Sequence, residues 1–126
     1  MKAPPRISEA EWKVMRVLWE EHPRTASQVA QALGPQAAWT DRTVKTLLAR
    51  LVKKGVLSTE SDGKRYLYEP AVSREACVAA EGRSFVARVF DGSASPLLLH
   101  FVRRSRLTRG EIEELRRILE EKEPRG

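Results

Sequence analysis

The stretch Thr40-Asp41-Arg42-Thr43-Val44-Lys45-Thr46-Leu47-Leu48-Ala49-Arg50-Leu51-Val52-Lys53-Lys54-Gly55 decides how this chain folds. Thr40 stands where a helix needs a side-chain oxygen for its first free N–H groups, and Gly55 stands where a helix can turn off through a left-handed residue. Between them Val44, Leu47, Leu48, Leu51 and Val52 recur at i, i+3 and i+4. At about 100° per residue they share one arc, leaving Arg42, Thr43, Lys45, Thr46, Ala49, Arg50 and Lys53 on the other. The apolar arc has to pack against something. From position 42 to 54 the chain carries five basic residues and no acidic one, whereas an ordinary solvated face mixes both signs.

Upstream, Ser8 with Glu11 forms a capping box, and Ala10, Val14, Met15 and Leu18 follow at helical spacing until Pro23. Thr25 with Gln28 repeats the box for a short second helix carrying Ala26, Val29, Ala30 and Leu33, closed by Gly34. Downstream of Gly55 the period falls to about two. Residues 56–60 and 65–69 read as strands around the turn Ser61-Asp62-Gly63-Lys64, with Tyr66 and Tyr68 on one face and Pro70 ending the hairpin. Helix, helix, helix, hairpin is the order of a winged helix-turn-helix, expected over residues 7–70.

A second unit is expected over residues 73–122. Ser73 caps a helix with Val78, Phe85, Val86, Val89 and Phe90, and residues 91–94 break it. Ser95-Pro96 reads as a cap followed by proline at the first helical position, opening a helix with Leu97, Leu98, Phe101 and Val102. Thr108 with Glu111 caps a last helix carrying Ile112, Leu115, Ile118 and Leu119. The fold class is therefore mainly α with a small β-hairpin wing, followed by an all-helical segment. About fifty residues in three short helices cannot bury an apolar stripe alone, so a second copy is expected to cover it. Phe85, Val89, Leu98, Phe101, Val102, Ile112, Leu115 and Leu119 are the candidate dimer contacts.

The formal charge of +6 suits a polyanionic partner. A helix enters the major groove of DNA when its outer face lacks acidic and bulky groups, and threonine there offers a hydroxyl for base edges or phosphates and a methyl for thymine. Arg50, Lys53 and Lys54 toward the end of the third helix, with Lys64 and Arg65 on the hairpin, are placed for phosphates. Thr40 and Lys45 join them at the helix start, where unpaired N–H groups also favour a phosphate.

Other chemistry has little support. Cys77 is the single cysteine, so no internal disulfide forms, and it reads as a packing residue; His22 and His100 lack partners at metal spacing. No metal site and no cofactor are expected. Trp12, Trp19 and Trp39 read as packing residues. Neither a nucleophile with its base nor a glycine-rich phosphate loop is present, so an enzyme is not expected. No apolar run approaches a membrane span, and residues 1–6 are too short and proline-rich for a signal peptide, so no membrane insertion and a cytoplasmic location are expected. The alternative to DNA reading is a winged helix that docks on a protein or on RNA.

The stretch from Trp39 to Gly55, the wing Asp62-Gly63-Lys64 to Tyr68-Glu69-Pro70, and the tail from Pro96 through Glu111-Ile112-Glu113-Glu114-Leu115 resemble the penicillinase and methicillin-resistance repressors and the related copper-responsive repressors. The likeness runs from about Ile7 to Glu121. It implies a homodimer that represses genes from a two-fold, double-stranded DNA operator, with base-reading positions at Arg42, Thr43 and Thr46. β-Lactam-responsive members are released when a membrane sensor protease triggers cleavage at an Asn-Phe bond. Here that position reads His100-Phe101, without the asparagine. Copper-responsive members end in a cysteine-rich metal site, and this chain has no cysteine after Cys77.

Overall fold

The computed structural model describes residues 5–34 and 37–124; residues 1–4 of the N-terminal stretch lie outside them. Its elements run α1 (Glu9–Glu20), α2 (Ala26–Leu33), α3 (Asp41–Lys53), β1 (Leu57–Ser61), β2 (Tyr66–Pro70), α4 (Arg74–Val89), α5 (Ser95–Arg104) and α6 (Arg109–Glu121). The chain divides into two compact units, Met1–Gly82 and Arg83–Gly126. The division falls within α4, because its first turns bury Cys77 in the core of the first unit.

Local signals build the first unit as its sequence predicts. Ser8 Oγ accepts from the Glu11 N–H at 3.2 Å while Glu11 Oε1 accepts from the Ser8 N–H at 2.8 Å, and Thr25 and Gln28 exchange the same pair of bonds. Thr40 Oγ1 accepts from the Thr43 N–H at 3.2 Å and so starts α3. At the far end Gly55, with φ +82°, donates to the Val52 carbonyl and Val56 donates to that of Leu51. This paired ending closes two of the last free carbonyls of α3 and sends the chain straight into β1.

Val44, Leu47, Leu48 and Leu51 are buried against Val14, Met15 and Leu18 of α1 and Val29 of α2, with Ile7, Val56 and Leu57 completing the core. Each such side chain contributes about 1.5–3 kcal/mol by leaving water. Trp12 and Trp19 pack tilted at 5.4 Å between ring centres, and the Trp19 indole N–H donates to the Val72 carbonyl at 3.0 Å.

The wing differs from its sequence reading by one residue. Ser61 pairs with Tyr66 and Leu57 with Pro70, so the loop is residues 62–65 and Pro70 lies inside β2. The Asp62 N–H donates to the Arg65 carbonyl at 3.0 Å, and Arg65 Nε donates to Asp62 Oδ2 at 3.1 Å, which closes the loop on these two residues. Tyr66 and Tyr68 also part company: Tyr66 is exposed near the tip, while Tyr68 packs against the core and burial raises its phenol pKa. Tyr68 exchanges both backbone hydrogen bonds with Arg24, so the turn after α1 forms a bridge beside β2.

In the second unit Thr108 and Glu111 form the expected capping box. The start of α5 corrects the sequence reading: Ala94, not Ser95, is the cap, no side chain caps the helix, and Ser95 is already helical. Phe85 and Phe90 pack at 5.9 Å between ring centres. No residue of α5 or α6 is buried. Among the described residues, no helix is long and apolar enough to cross a membrane, and no group of three or more His, Cys, Asp or Glu could hold a metal.

The buried carboxylate of α1 generates a prediction. Glu11 is 1% exposed, and Lys54 Nζ donates to its Oε1 at 2.6 Å. Burial pushes its pKa up, but the hydrogen bonds from Lys54 and Ser8 and the Lys54 charge outweigh that and hold it below its ordinary 4.5. A carboxyl lowered by folding stabilises the protein fully above the unfolded pKa, and this is lost as pH falls through the folded value. Glu11→Gln should therefore lower unfolding free energy by about 1–3 kcal/mol near neutral pH, with the difference shrinking at about pH 3. Urea denaturation at both pH values checks this; a difference of equal size at both would refute the charged-pair origin.

Candidate nucleic-acid interface

Packing of the apolar arc settles which side of α3 meets solvent. Arg42, Thr43, Lys45, Thr46, Ala49, Arg50 and Lys53 are all exposed. Asp41, the one acid of the helix, sits in its first turn, where a negative charge favours the helix dipole. The Lys13 ammonium lies 5.6 Å from the centre of the Trp39 ring and ties α1 to the residue before the Thr40 cap.

Hydroxyl chemistry on this arc is partly committed. Thr46 Oγ1 donates to the Arg42 carbonyl at 2.9 Å, so it offers an incoming base an acceptor and a methyl group rather than a donor. Thr43 Oγ1 shares a hydrogen bond of 3.1 Å with Thr40 Oγ1. Arg42 is exposed and long enough for a bidentate contact to a guanine edge.

The phosphate candidates divide. Arg50 and Lys53 are exposed on the last turns of α3. Lys45 comes together with Lys64 and Arg65 of the wing in an open groove of about 530 Å³, which Thr25, Ala26, Ser27, Tyr66 and Tyr68 complete. The start of α2 was missed by sequence reasoning. The Thr25–Gln28 box satisfies the amides of those two residues and leaves the first-turn amides of Ala26 and Ser27 as donors. The box itself was the available signal; what brings it beside Lys45 and the wing is tertiary packing. Arg65 also pairs with Asp62, whose carboxyl that bond holds below its ordinary value.

Lys54 differs from the other phosphate candidates in having partners inside the first unit. Its ammonium donates to Glu11 Oε1 at 2.6 Å and to the Arg6 carbonyl at 2.9 Å, so it is engaged within the first unit. It caps the end of α3, where the chain turns back toward α1.

In the second unit, Leu98, Phe101, Val102, Ile112 and Leu119 are exposed, Leu119 by 63% and Leu98 by 59%; Phe85 and Val89 are exposed as well, and Leu115 is half-buried. Val102, Leu107, Ile112, Leu115 and Leu119 line a groove of about 410 Å³ between α5 and α6. His100 and Phe101 lie within regular α5 with their rings edge to face at 5.3 Å.

A family model described as "Penicillinase repressor" matches residues 7–121. The chain belongs to the penicillinase repressor family. The penicillinase repressor of Bacillus licheniformis is 34% identical over 121 residues, covering 96% of this chain and 94% of that protein. The methicillin resistance regulatory protein MecI of Staphylococcus aureus (strain N315) is 34% identical over 116 residues, covering 92% of this chain and 94% of its own. Among solved structures, the DNA-binding domain of the repressor BlaI matches with a TM-score of 0.53 at 34% identity, covering 60% of this chain and 93% of that one. The monomeric form of Bacillus licheniformis BlaI in complex with the blaP half-operator matches with a TM-score of 0.52 and the same identity and coverage. This member of the penicillinase repressor family is thus a transcriptional repressor built on a winged DNA-binding fold.

The groove generates a prediction for this repressor. Lys45→Gln should weaken binding to operator and to random duplex alike and make the dependence of log affinity on log salt shallower by about 1. Titration of labelled duplexes across a salt series measures both, and an effect confined to one DNA sequence would count against a phosphate role.

Proposed function

We propose that this repressor acts as a homodimer on a two-fold, double-stranded operator, with α3 in the major groove of each half-site. The carrying observation is the exposed outer arc of α3, cationic and threonine-bearing from Arg42 onward, held in one orientation by its buried opposite face. The Bacillus licheniformis relative solved on a half-operator supports the same use of the fold here. Arg42, Thr43 and Thr46 read bases. Thr40, Lys45, Arg50, Lys53, Lys64 and Arg65, with the first amides of α2, hold phosphates and fix the register without choosing sequence.

The dimer rests on the unburied second unit. A segment of this size without buried side chains in α5 and α6 is covered best by its own copy, which brings the same apolar residues to both sides of a two-fold axis. Phe85, Val89, Leu98, Phe101, Val102, Ile112, Leu115 and Leu119 supply that interface. The names of the relatives point to β-lactam-response genes as the regulated class. The protein works in the cytoplasm, where operator DNA lies. A membrane sensor protease is the partner for release, and its substrate bond would be His100-Phe101; that bond lies in a helix, so α5 has to unwind before an extended segment can enter a protease cleft.

Two measurements test this reading. Arg42→Ala and Thr46→Ala should each cost about 1–3 kcal/mol of operator affinity while leaving random-duplex affinity nearly unchanged. Footprinting of the wild-type protein should show two protected half-sites related by a two-fold axis. No change in either variant would favour a docking role on protein or RNA. Separately, Phe101→Ala should weaken the dimer by about 3–5 kcal/mol, read by sedimentation across a dilution series; an unchanged dimer at the lowest concentration would remove Phe101 from the interface.

A further inference from the structure

We infer that Lys54 and Glu11 are positioning residues for DNA reading: the ion pair between the partly exposed Lys54 ammonium and the buried Glu11 carboxylate sets the angle at which α3 presents Arg42, Thr43 and Thr46. The inference rests on the proposed role of α3 and assigns to Lys54 a part that involves no contact with DNA.

Lys54 caps α3, and its ammonium is held by two acceptors from the start of the chain, Glu11 Oε1 at 2.6 Å and the Arg6 carbonyl at 2.9 Å. Glu11 is itself fixed, since the Ser8 N–H donates to the same oxygen at 2.8 Å and the side chain is buried in α1. Its other oxygen, Oε2, is buried and has no partner among the described residues. That is a costly arrangement for a carboxylate. An apolar pair would bury the same volume without that cost, but apolar contacts are non-directional and let one helix slide or tilt on another. A charge-assisted hydrogen bond fixes distance and direction together.

The lever is long. Arg42 and Lys54 are twelve positions apart, about 18 Å at the helical rise. With its middle held by the core around Leu48, a helix whose Lys54 end is freed tilts about that middle, and a tilt of about 6° over the roughly 9 Å to Arg42 moves that end by about 1 Å, more than a base-reading contact tolerates. The apolar residues Val44, Leu47, Leu48 and Leu51 hold α3 down, while the ion pair fixes its far end. Contacts to phosphates through flexible lysines absorb such a tilt; a bidentate arginine on a base edge does not.

The test uses the full chain as Lys54→Met, Lys54→Arg, Glu11→Gln and the double variant Glu11→Gln/Lys54→Met, at a temperature where circular dichroism shows each of them folded. Affinity is measured for operator duplex and for random duplex across a salt series. Lys54→Met and Glu11→Gln should each weaken operator binding about threefold to tenfold while leaving random-duplex affinity and the salt slope unchanged. The double variant should be no worse than the weaker-binding single variant, and Lys54→Arg should restore binding. A salt slope shallower by about 1 in Lys54→Met would make Lys54 a phosphate contact and overturn the inference. Lowered unfolding free energy with unchanged operator affinity in the folded variants would overturn it too, leaving a purely structural pair. Should wild-type protein fail to prefer operator over random duplex, the role proposed for α3 itself fails, and the inference falls with it.

Discussion

The burial of Val44, Leu47, Leu48 and Leu51 is the constraint on which the rest of the first unit depends. These four side chains pack with α1 and α2, and that contact decides which face of α3 is left outside. A helix whose two arcs separate this completely has no second way to bury its apolar surface without bringing Arg50 or Lys53 into the core. Orientation of the outer arc is therefore a consequence of packing, and the presentation of Arg42, Thr43 and Thr46 is set by residues buried in the core. The loss of any of the four would leave the same cations on a helix with no fixed presentation.

Charge is sorted in the same way as hydrophobicity. Among the described residues of the first unit, the one buried carboxylate, Glu11, lies at the end of α3 away from the proposed reading residues and takes Lys54 with it. The other cations of α3 are exposed without an internal ion-pair partner among the described residues, and the groove beside the wing collects Lys45, Lys64 and Arg65 with the free amides of α2. Two acidic residues near this side have structural tasks: Asp41 complements the start of a helix and Asp62 closes the wing loop onto Arg65. A phosphate backbone entering the groove beside the wing would meet Lys45, Lys64 and Arg65, with Asp62 already engaged by Arg65.

How much of this is legible in the sequence follows from how far apart the interacting residues are. Ser8 with Glu11, Thr25 with Gln28, and Thr108 with Glu111 are three positions apart, and all three boxes form. Gly55 ends α3 as its position implies, and the outer arc of α3 follows from period alone. Ser95 failed as a cap because the preceding turn, with Asp91 and Gly92 both at positive φ, lets helical geometry begin at Ala94 before the serine is reached. The strands slipped by one because their register depends on Asp62 closing with Arg65 rather than on the Asp-Gly pair alone. Lys54 with Glu11 is 43 positions apart and Arg24 with Tyr68 is 44, so neither pairing has a local signature. Lys54 looked like one more cation on a basic helix; only the return of the chain to α1 distinguishes it from Lys53.

The two units also divide the physical problem unequally. The first has a closed core and holds its reading face by itself; the second carries its apolar residues outside, with Phe101 exposed by 55%. In the proposed dimer a single half-site contact would be modest in strength, and the second becomes intramolecular once two copies are joined. Operator affinity then depends on α5 and α6 as strongly as on α3, although neither touches a base. Any event that separates the copies lowers occupancy without altering one residue of the reading face. In the proposed dimer the unit without buried side chains in α5 and α6 would be the natural point of control: its fold and its assembly would be one equilibrium, and a signal acting there would have no stable monomeric unit to overcome.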